Sequence, residues 1–302
     1  MKIGYVSLNY SIDCKANKKF RLSNFSKSKF LSTAKNNINC LKKILKYNVN
    51  NSIKFFRINS NIIPFASHSI NNIDWKNIFK NEFIEIGKIV KNNNIRISMH
   101  PGQYTVLNSK NNTTISNSIK ELNYHVDILN LLDLKPDAKI QIHIGGVYNN
   151  KSRAMKRFIN NYKSLPPKIK KYLVIENDNS LYSLKDCIYI HKKTGVPIIF
   201  DTFHHECFNN KENIKEAFSL TRKTWNEKDG APMIDYSSQE DNKRRGTHTK
   251  TIDINHFENI LKELLSVVPS GKFDIMLEIK NKEKSAKKIY NFLNQNYPSK
   301  LF

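Results

Sequence analysis

Eight short β-branched or apolar runs, separated by longer lysine-rich amphipathic stretches, constrain what this chain can fold into more than any other feature. The runs are KIGYVSL (2–8), IKFFRI (53–58), IRISM (95–99), KIQIHI (139–144), YLVIEN (172–177), PIIFD (197–201), PMIDY (232–236) and FDIMLEI (273–279). Helical patterns lie between them, for example WKNIFKNEFIEIGKIVKNN (75–93) and HFENILKELLSVV (256–268), with Asp74 and Asn255 as the expected caps. Strands alternating with helices imply βα units and a parallel sheet, and eight such units close a barrel. The expectation is an α/β protein, a single (β/α)8 TIM barrel spanning 1–302 as one domain. An open doubly wound sheet would carry a Gly-rich phosphate turn after its first strand; GYVSLNY has none. The stretch 108–118 reads as a mobile loop plus a helix start, and 12–30 as an elongated first βα loop.

Composition bears on the partner. The 50 Lys and Arg against 26 Asp and Glu leave a net charge of +24 and a pI near 9.7, extreme for an enzyme of small molecules and suited to a polyanion such as nucleic acid. A general bias towards Lys, Asn and Ile accounts for about half of that excess. Cys14, Cys40, Cys187 and Cys207 show neither CxxC pairing nor zinc-finger spacing and read as reduced, mostly buried thiols. The apolar run at the N-terminus is too short for a signal peptide, and no stretch approaches the ~18 apolar residues of a membrane span. A soluble, cytoplasmic chain with no membrane partner is expected.

In a barrel of this kind the active site is built at the carboxyl ends of the strands, so the residues that end each run matter most. The first leads to Tyr5 and Asn9, the second to His68, the third to His100 and the fourth to His143. The fifth ends at Glu176, with Asn177 and Asp178, and the sixth at Asp201, with His204 and His205 beyond. The seventh carries Asp235 and leads to His248; the eighth ends with Glu278 and Lys280. Six of the nine histidines therefore follow strands, while His125, His191 and His256 fall in helical patterns and read as surface or interhelix residues. Four carboxylates converging on one mouth repel one another unless cations neutralise them. Nitrogen and oxygen donors without a thiolate suit manganese, magnesium or zinc in an open catalytic site. There are more candidate ligands than one ion can use, so two or three ions are expected. Clustered divalent ions are a known solution to phosphodiester cleavage, and the basic surface then serves to hold a phosphate backbone.

The ordered motifs RINSNIIPFASH, ISMHPGQY, HIGGVYNNK, LVIEND, IIFDTFHH and DIMLEIKNKE, with IGYVSLN before them and DYSSQ after the seventh strand, resemble the UV damage endonuclease family over roughly 2–283. The resemblance implies a barrel related to endonuclease IV that acts on damaged double-stranded DNA, with up to three divalent metals; nothing in the sequence suggests more than a monomer. Manganese is expected, with magnesium, zinc or cobalt as alternatives. It implies a nick immediately 5′ to UV photoproducts, both cyclobutane pyrimidine dimers and 6-4 photoproducts, leaving a 3′-hydroxyl and a 5′-phosphate, with abasic sites as additional substrates. By position, His100, His143, Glu176, Asp201, His204, His248 and Glu278 match the family's metal ligands, with Glu176 bridging two ions. His68 matches a further active-site histidine. Tyr5 and Asn9 match residues that face the flipped lesion, and Lys280 and Lys151 are candidates for phosphate contacts. Gly145 and Gly146 would permit close backbone approach, and NKRRGTH (242–248) would track the DNA backbone. The seventh strand departs from the pattern. Relatives can carry Lys-x-His there, with the lysine carboxylated; this chain has Met233-Ile234-Asp235. Asp235 is expected to replace a histidine as a ligand, but Met233 cannot be carboxylated, which puts the third metal site in question.

ISMHPGQY also presents Gln103 and Tyr104 on a turn stiffened by Pro101, a suitable wedge for the gap left when damaged bases leave the stack. The expected chemistry is in-line hydrolysis by metal-activated water, without a covalent intermediate. The competing readings are an abasic-site endonuclease of the endonuclease IV type, a divalent-metal sugar isomerase or epimerase, and a catalytically dead DNA-binding barrel.

Overall fold

Each of the eight runs forms a strand of four or five residues in a computed structural model of the chain, which describes residues 1–298 and Leu301. They are β1 (Ile3–Val6), β2 (Phe55–Ile58), β3 (Arg96–Met99), β4 (Lys139–His143), β5 (Leu173–Glu176), β6 (Ile198–Asp201), β7 (Met233–Tyr236) and β8 (Asp274–Leu277). Each pairs in parallel with the next, and β8 pairs with β1, so the sheet closes on itself as a (β/α)8 barrel.

The helices between them are α1 (Lys27–Asn50), α2 (Trp75–Ile78), α3 (Lys80–Asn92), α4 (Asn112–Leu131), α5 (Lys151–Ser164) and α6 (Pro167–Lys170). They continue with α7 (Leu184–Thr194), α8 (Thr202–Cys207), α9 (Ile214–Arg222), α10 (Ile254–Val267) and α11 (Glu283–Asn296). Helix α1 shows why they coat the barrel: Phe30, Ala34, Ile38, Leu41 and Ile44 recur at three- and four-residue spacing, and this stripe is buried. Asp74 caps α2 as expected. Asn255 does not cap α10; that helix starts ahead of its apolar pattern, and Asp253 accepts the backbone N–H of His256.

Period-two alternation sorts the strand residues between the barrel lumen and the helical layer. Phe56, Ile140, Ile142, Ile175, Phe200, Ile234 and Ile275 join the large core beneath the helices. The opposite parity fills the lumen in layers. At the floor, Arg96 pairs with Asp274 at 2.8 Å and Lys139 with Asp229 at 2.6 Å. Above it Phe55, Val174, Ile199, Met233 and Met276 form an apolar plug. One step further along the same strands come Arg57, Gln141, Glu176, Asp201, Asp235 and Glu278. The plug supports the mouth, and its dryness raises the electrostatic stakes for every charge above it.

Two expectations about loops and thiols change. Cys14 and Cys40 are paired in a disulfide, with Cα atoms 5.5 Å apart, rather than being free thiols. The first βα loop doubles back onto α1, a contact that cysteine spacing alone does not encode. Cys187 and Cys207 are free. The stretch expected as a mobile loop is pinned where it begins. Asn108 is buried, its amide donates to Gly146 O at 2.7 Å and Tyr182 Oη at 3.2 Å, and α4 starts already at Asn112. Among the described residues, no helix is long and apolar enough to cross a membrane.

Candidate metal centre and DNA-facing loops

Glu176, almost fully buried at the end of β5, is the hub of the mouth. Its Oε2 lies 3.5 Å from His100 Nε2 and 3.7 Å from His143 Nε2, and its Oε1 lies 3.1 Å from His204 Nδ1. Two ligand groups result, His100 with His143 and Glu176, and Glu176 with Asp201 and His204, each with donor atoms within 4.8 Å of one another. Glu176 belongs to both, as expected of a bridging ligand.

The residues fit divalent ions on two further observations. Nδ1 of His100 lies 3.0 Å from Pro101 O, that of His204 3.0 Å from Asn177 O, and that of His248 2.9 Å from Glu278 O. An Nδ1–H donated to a carbonyl orients the ring and leaves Nε2 as the nitrogen that would bind an ion, the arrangement common to histidine ligands. Asp201 supplies the other observation. Its Oδ1 caps α8 by accepting the His204 N–H at 2.7 Å, while its buried Oδ2 has no hydrogen-bond partner. That oxygen lies 3.3 Å from His204 Nδ1 without a hydrogen bond to it, in a place that a cation would fill.

Charge is strongly displaced here. Burial alone would raise Glu176, yet His143, His100 and His204 hold its carboxyl well below the usual range. Burial pushes Asp201 well up, reinforced by Glu176, Glu278 and Asp235 and opposed by His204. Burial would lower His204, but Asp201 and Glu176 push its imidazole up to about 11. The cluster thus retains protons where cations would otherwise stand.

Two residues of the mouth escaped the sequence reading. Arg57, on β2 and only 3% exposed, donates from Nη2 to Asp235 Oδ1 and Oδ2 at 2.8 and 2.9 Å, and from Nη1 to Glu278. Gln141, on β4, donates from Nε2 to Asp235 Oδ2 at 2.6 Å and to Glu176, while its Oε1 accepts from Arg57 at 2.7 Å. Parity could have found both. Arg57 lies two residues after the lumen-facing Phe55, and Gln141 two before His143. Asp235 was expected as an open ligand; instead both its oxygens accept hydrogen bonds from this pair. Met233, beneath it, is part of the apolar plug. Glu278 keeps Oε2 3.7 Å from His248 Nδ1, while Arg57 holds its carboxyl down to about 2 against the upward push of burial.

The remaining expected residues divide between mouth and elsewhere. Tyr5, expected to face the lesion, is not exposed at the mouth. Its parity places it under the helices, fully buried, where its hydroxyl donates to Asn48 at 2.6 Å and accepts from Asn9 at 2.8 Å. Gly4 takes the lumen position, and a Cβ there would lie 2.1 Å from Phe55 O. Asn9 is likewise buried. His68 is exposed, outside both ligand groups; its Nδ1 accepts the Ile70 N–H at 3.0 Å. Lys280 pairs with Glu240 at 2.8 Å rather than with Glu278. Lys151 opens α5, pairs with Asp186 at 2.6 Å and lies over the Tyr182 ring. Gly145 has φ +107°, and a Cβ would meet Asn108 Oδ1 at 2.4 Å, so close approach is its role. His205 turns from the mouth to Glu212 O, and His125 is buried within α4. The basic loop 242–248 is organised by Gln239, whose amide donates to Lys243 O and Arg244 O and accepts from Gly246 N–H.

Tyr104 is 81% exposed, beside the exposed Gly102 and Gln103. This turn divides two cavities. One, of about 680 Å³, is lined by Ser60, Thr114 and Tyr148; the other, of about 430 Å³, is lined by His100, His143, Asp178 and His204. The second opens onto the ligand groups.

Fold and site together define a class: a (β/α)8 barrel with a nitrogen-and-oxygen ligand cluster at its mouth. Solved structures share the fold at 12% identity, among them endonuclease IV from Thermus thermophilus (TM-score 0.59, covering 84% of this chain and 93% of that one). D-psicose 3-epimerase from Clostridium cellulolyticum is comparable (TM-score 0.58, covering 100% and 94%). Far greater likeness separates these branches. The model of the family described as UV-endonuclease UvdE matches residues 1–297. A UV DNA damage endonuclease of Clostridium perfringens is 44% identical over 98% of this chain and 71% of its own length, and one of Bacillus thuringiensis is 31% identical over 94% and 91%. The crystal structure of SacUVDE superposes with a TM-score of 0.92 at 45% identity, covering 98% of both chains. The chain belongs to the UV-endonuclease UvdE family and is an endonuclease.

Proposed function

We propose that the chain is a metal-dependent DNA repair endonuclease that nicks duplex DNA immediately 5′ to cyclobutane pyrimidine dimers and 6-4 photoproducts, leaving a 3′-hydroxyl and a 5′-phosphate, with abasic sites as additional substrates. The observation that carries this reading is Glu176 shared between two ligand groups, directly beside the cavity that the exposed Tyr104 turn walls off. His100, His143, Glu176, Asp201 and His204, with His248 and Glu278 adjoining, would hold two or three divalent ions, manganese first. Such ions supply a Lewis acid to the phosphodiester and lower the pKa of water.

The chain's own residues supply recognition. Tyr104 stacks in the gap left by the lesion and Gln103 hydrogen-bonds an unpaired base. The damaged nucleotides enter the cavity between His100, His143 and Asp178, and Lys151, Lys280 and the loop 242–248 meet phosphates. The lower unstacking cost at a lesion provides the discrimination.

The test is an end-labelled duplex with one cyclobutane dimer beside its undamaged twin, treated with protein and manganese or with EDTA and read on a sequencing gel. A single cut 5′ to the dimer, on the damaged strand and with metal alone, is expected. Cleavage of an abasic duplex but not the dimer would move the chain to the endonuclease IV type of activity. If neither were cut by metal-loaded protein, the proposed lesion specificity would fall, and the strand-7 departure at Met233 and Asp235 would be the place to seek the cause.

A further inference from the structure

We infer that Arg57 occupies the place of a third metal ion, so that the centre is a two-ion site closed on its strand-7 side by a guanidinium. This inference rests on the metal-dependent reading above and specifies its ion count. A guanidinium is planar, permanently charged and offers five N–H donors. Buried without partners it would be severely destabilising, and Arg57 has them on every nitrogen. Nη2 engages both oxygens of Asp235 and Gln141 Oε1, Nη1 engages Glu278, and Nε reaches Ser98 Oγ at 3.4 Å.

Acceptor accounting separates the two buried aspartates. Asp201 has an oxygen with no hydrogen-bond partner, aimed into the cluster. Asp235 has both oxygens taken, Oδ1 by Arg57 and Oδ2 by Arg57 and Gln141. Strand 7 offers nothing else, because its other lumen position is Met233, a member of the apolar plug. An ion on that side would have to displace a cation already bonded in place. Two divalent ions and one guanidinium already outweigh the four carboxylates of the mouth. Gln141 links this block to the ions: the amide that donates to Asp235 also donates to Glu176. Arg57 therefore closes the strand-7 side, and Gln141 is the positioning residue that reaches the bridging carboxylate.

The experiment counts manganese on the full chain by elemental analysis after desalting, with electron paramagnetic resonance of the bound ions as a second readout. Wild type should hold two ions. Asp235→Asn, which keeps the shape, should still hold two with less than a threefold change in affinity. Arg57→Ala should gain a third ion, and Arg57→Lys should restore two. Three ions on wild type, the loss of one in Asp235→Asn, or a folded Arg57→Ala that stays at two would each overturn the inference while leaving the nuclease reading intact. If Arg57→Ala does not fold, the wild-type and Asp235→Asn counts decide alone. No bound ion in any variant would sink the metal-dependent reading itself.

Discussion

Glu176 shows how one buried carboxylate can organise a centre: three imidazoles surround it, and Gln141 donates to the oxygen that faces His100 and His143. Glu176→Ala should lower cleavage by at least about 10³-fold, the order lost when a key electrostatic group goes, while binding of the damaged duplex persists in a mobility-shift assay. Retained cleavage by the folded variant would refute the bridging role. His204 governs the pH dependence. Its pKa lies above the 6.5 of a free imidazole, at about 11 in the metal-free protein. The protonated form therefore stabilises the metal-free fold fully below pH 6.5, and that contribution is lost as pH rises towards 11. An ion must displace this proton, so manganese affinity should rise by at least about tenfold per pH unit between pH 6.5 and 9. Titration of free manganese by paramagnetic resonance checks this, and a flat profile would reject the assignment.

At the scale of elements, the turn after β3 does the work that the strand prepares. His100 continues the lumen parity of Arg96 and Ser98, Pro101 stiffens the exit, and Tyr104 stands in solvent. Changing Gln103 and Tyr104 together to alanine should remove about 1–3 kcal/mol of lesion binding, the usual worth of one base–aromatic stack. The bound manganese should not change, since neither residue lies in a ligand group. Equal affinity of the double variant for damaged duplex would sink the wedge. The β7–β8 connection is the corresponding element on the other side. Gln239 gathers the backbone of Lys243, Arg244 and Gly246, and Lys280 is tied to Glu240, so the basic loop is held as a unit next to His248.

For the whole molecule the question is what a net charge of +24 is for. If six to ten phosphates are neutralised on binding, raising salt from 50 to 200 mM should weaken binding to undamaged duplex by about 10³–10⁵-fold. A drop of less than about tenfold, measured by fluorescence anisotropy, would assign the charge to compositional bias instead. The barrel makes either result interpretable, because its ligand groups and exposed turn share one mouth while Arg96, Lys139, Asp229 and Asp274 close the opposite floor.

The alternating pattern by itself determined eight strands and the closed parallel barrel, and the strand ends located His100, His143, Glu176, Asp201, His204, His248 and Glu278. Both signals are local: side-chain period two, and the rule that strand ends share one mouth, need no knowledge of what lies across the lumen. Only the tertiary structure decided that Tyr5 lies under the helices, that Cys14 meets Cys40, and that one oxygen of Asp201 lacks a hydrogen bond while both of Asp235 are taken. The last distinction arises because Arg57 and Asp235, 178 positions apart, face each other across the lumen. Which charge meets which across a barrel depends on closure and stagger of the sheet, which no window of neighbouring residues records.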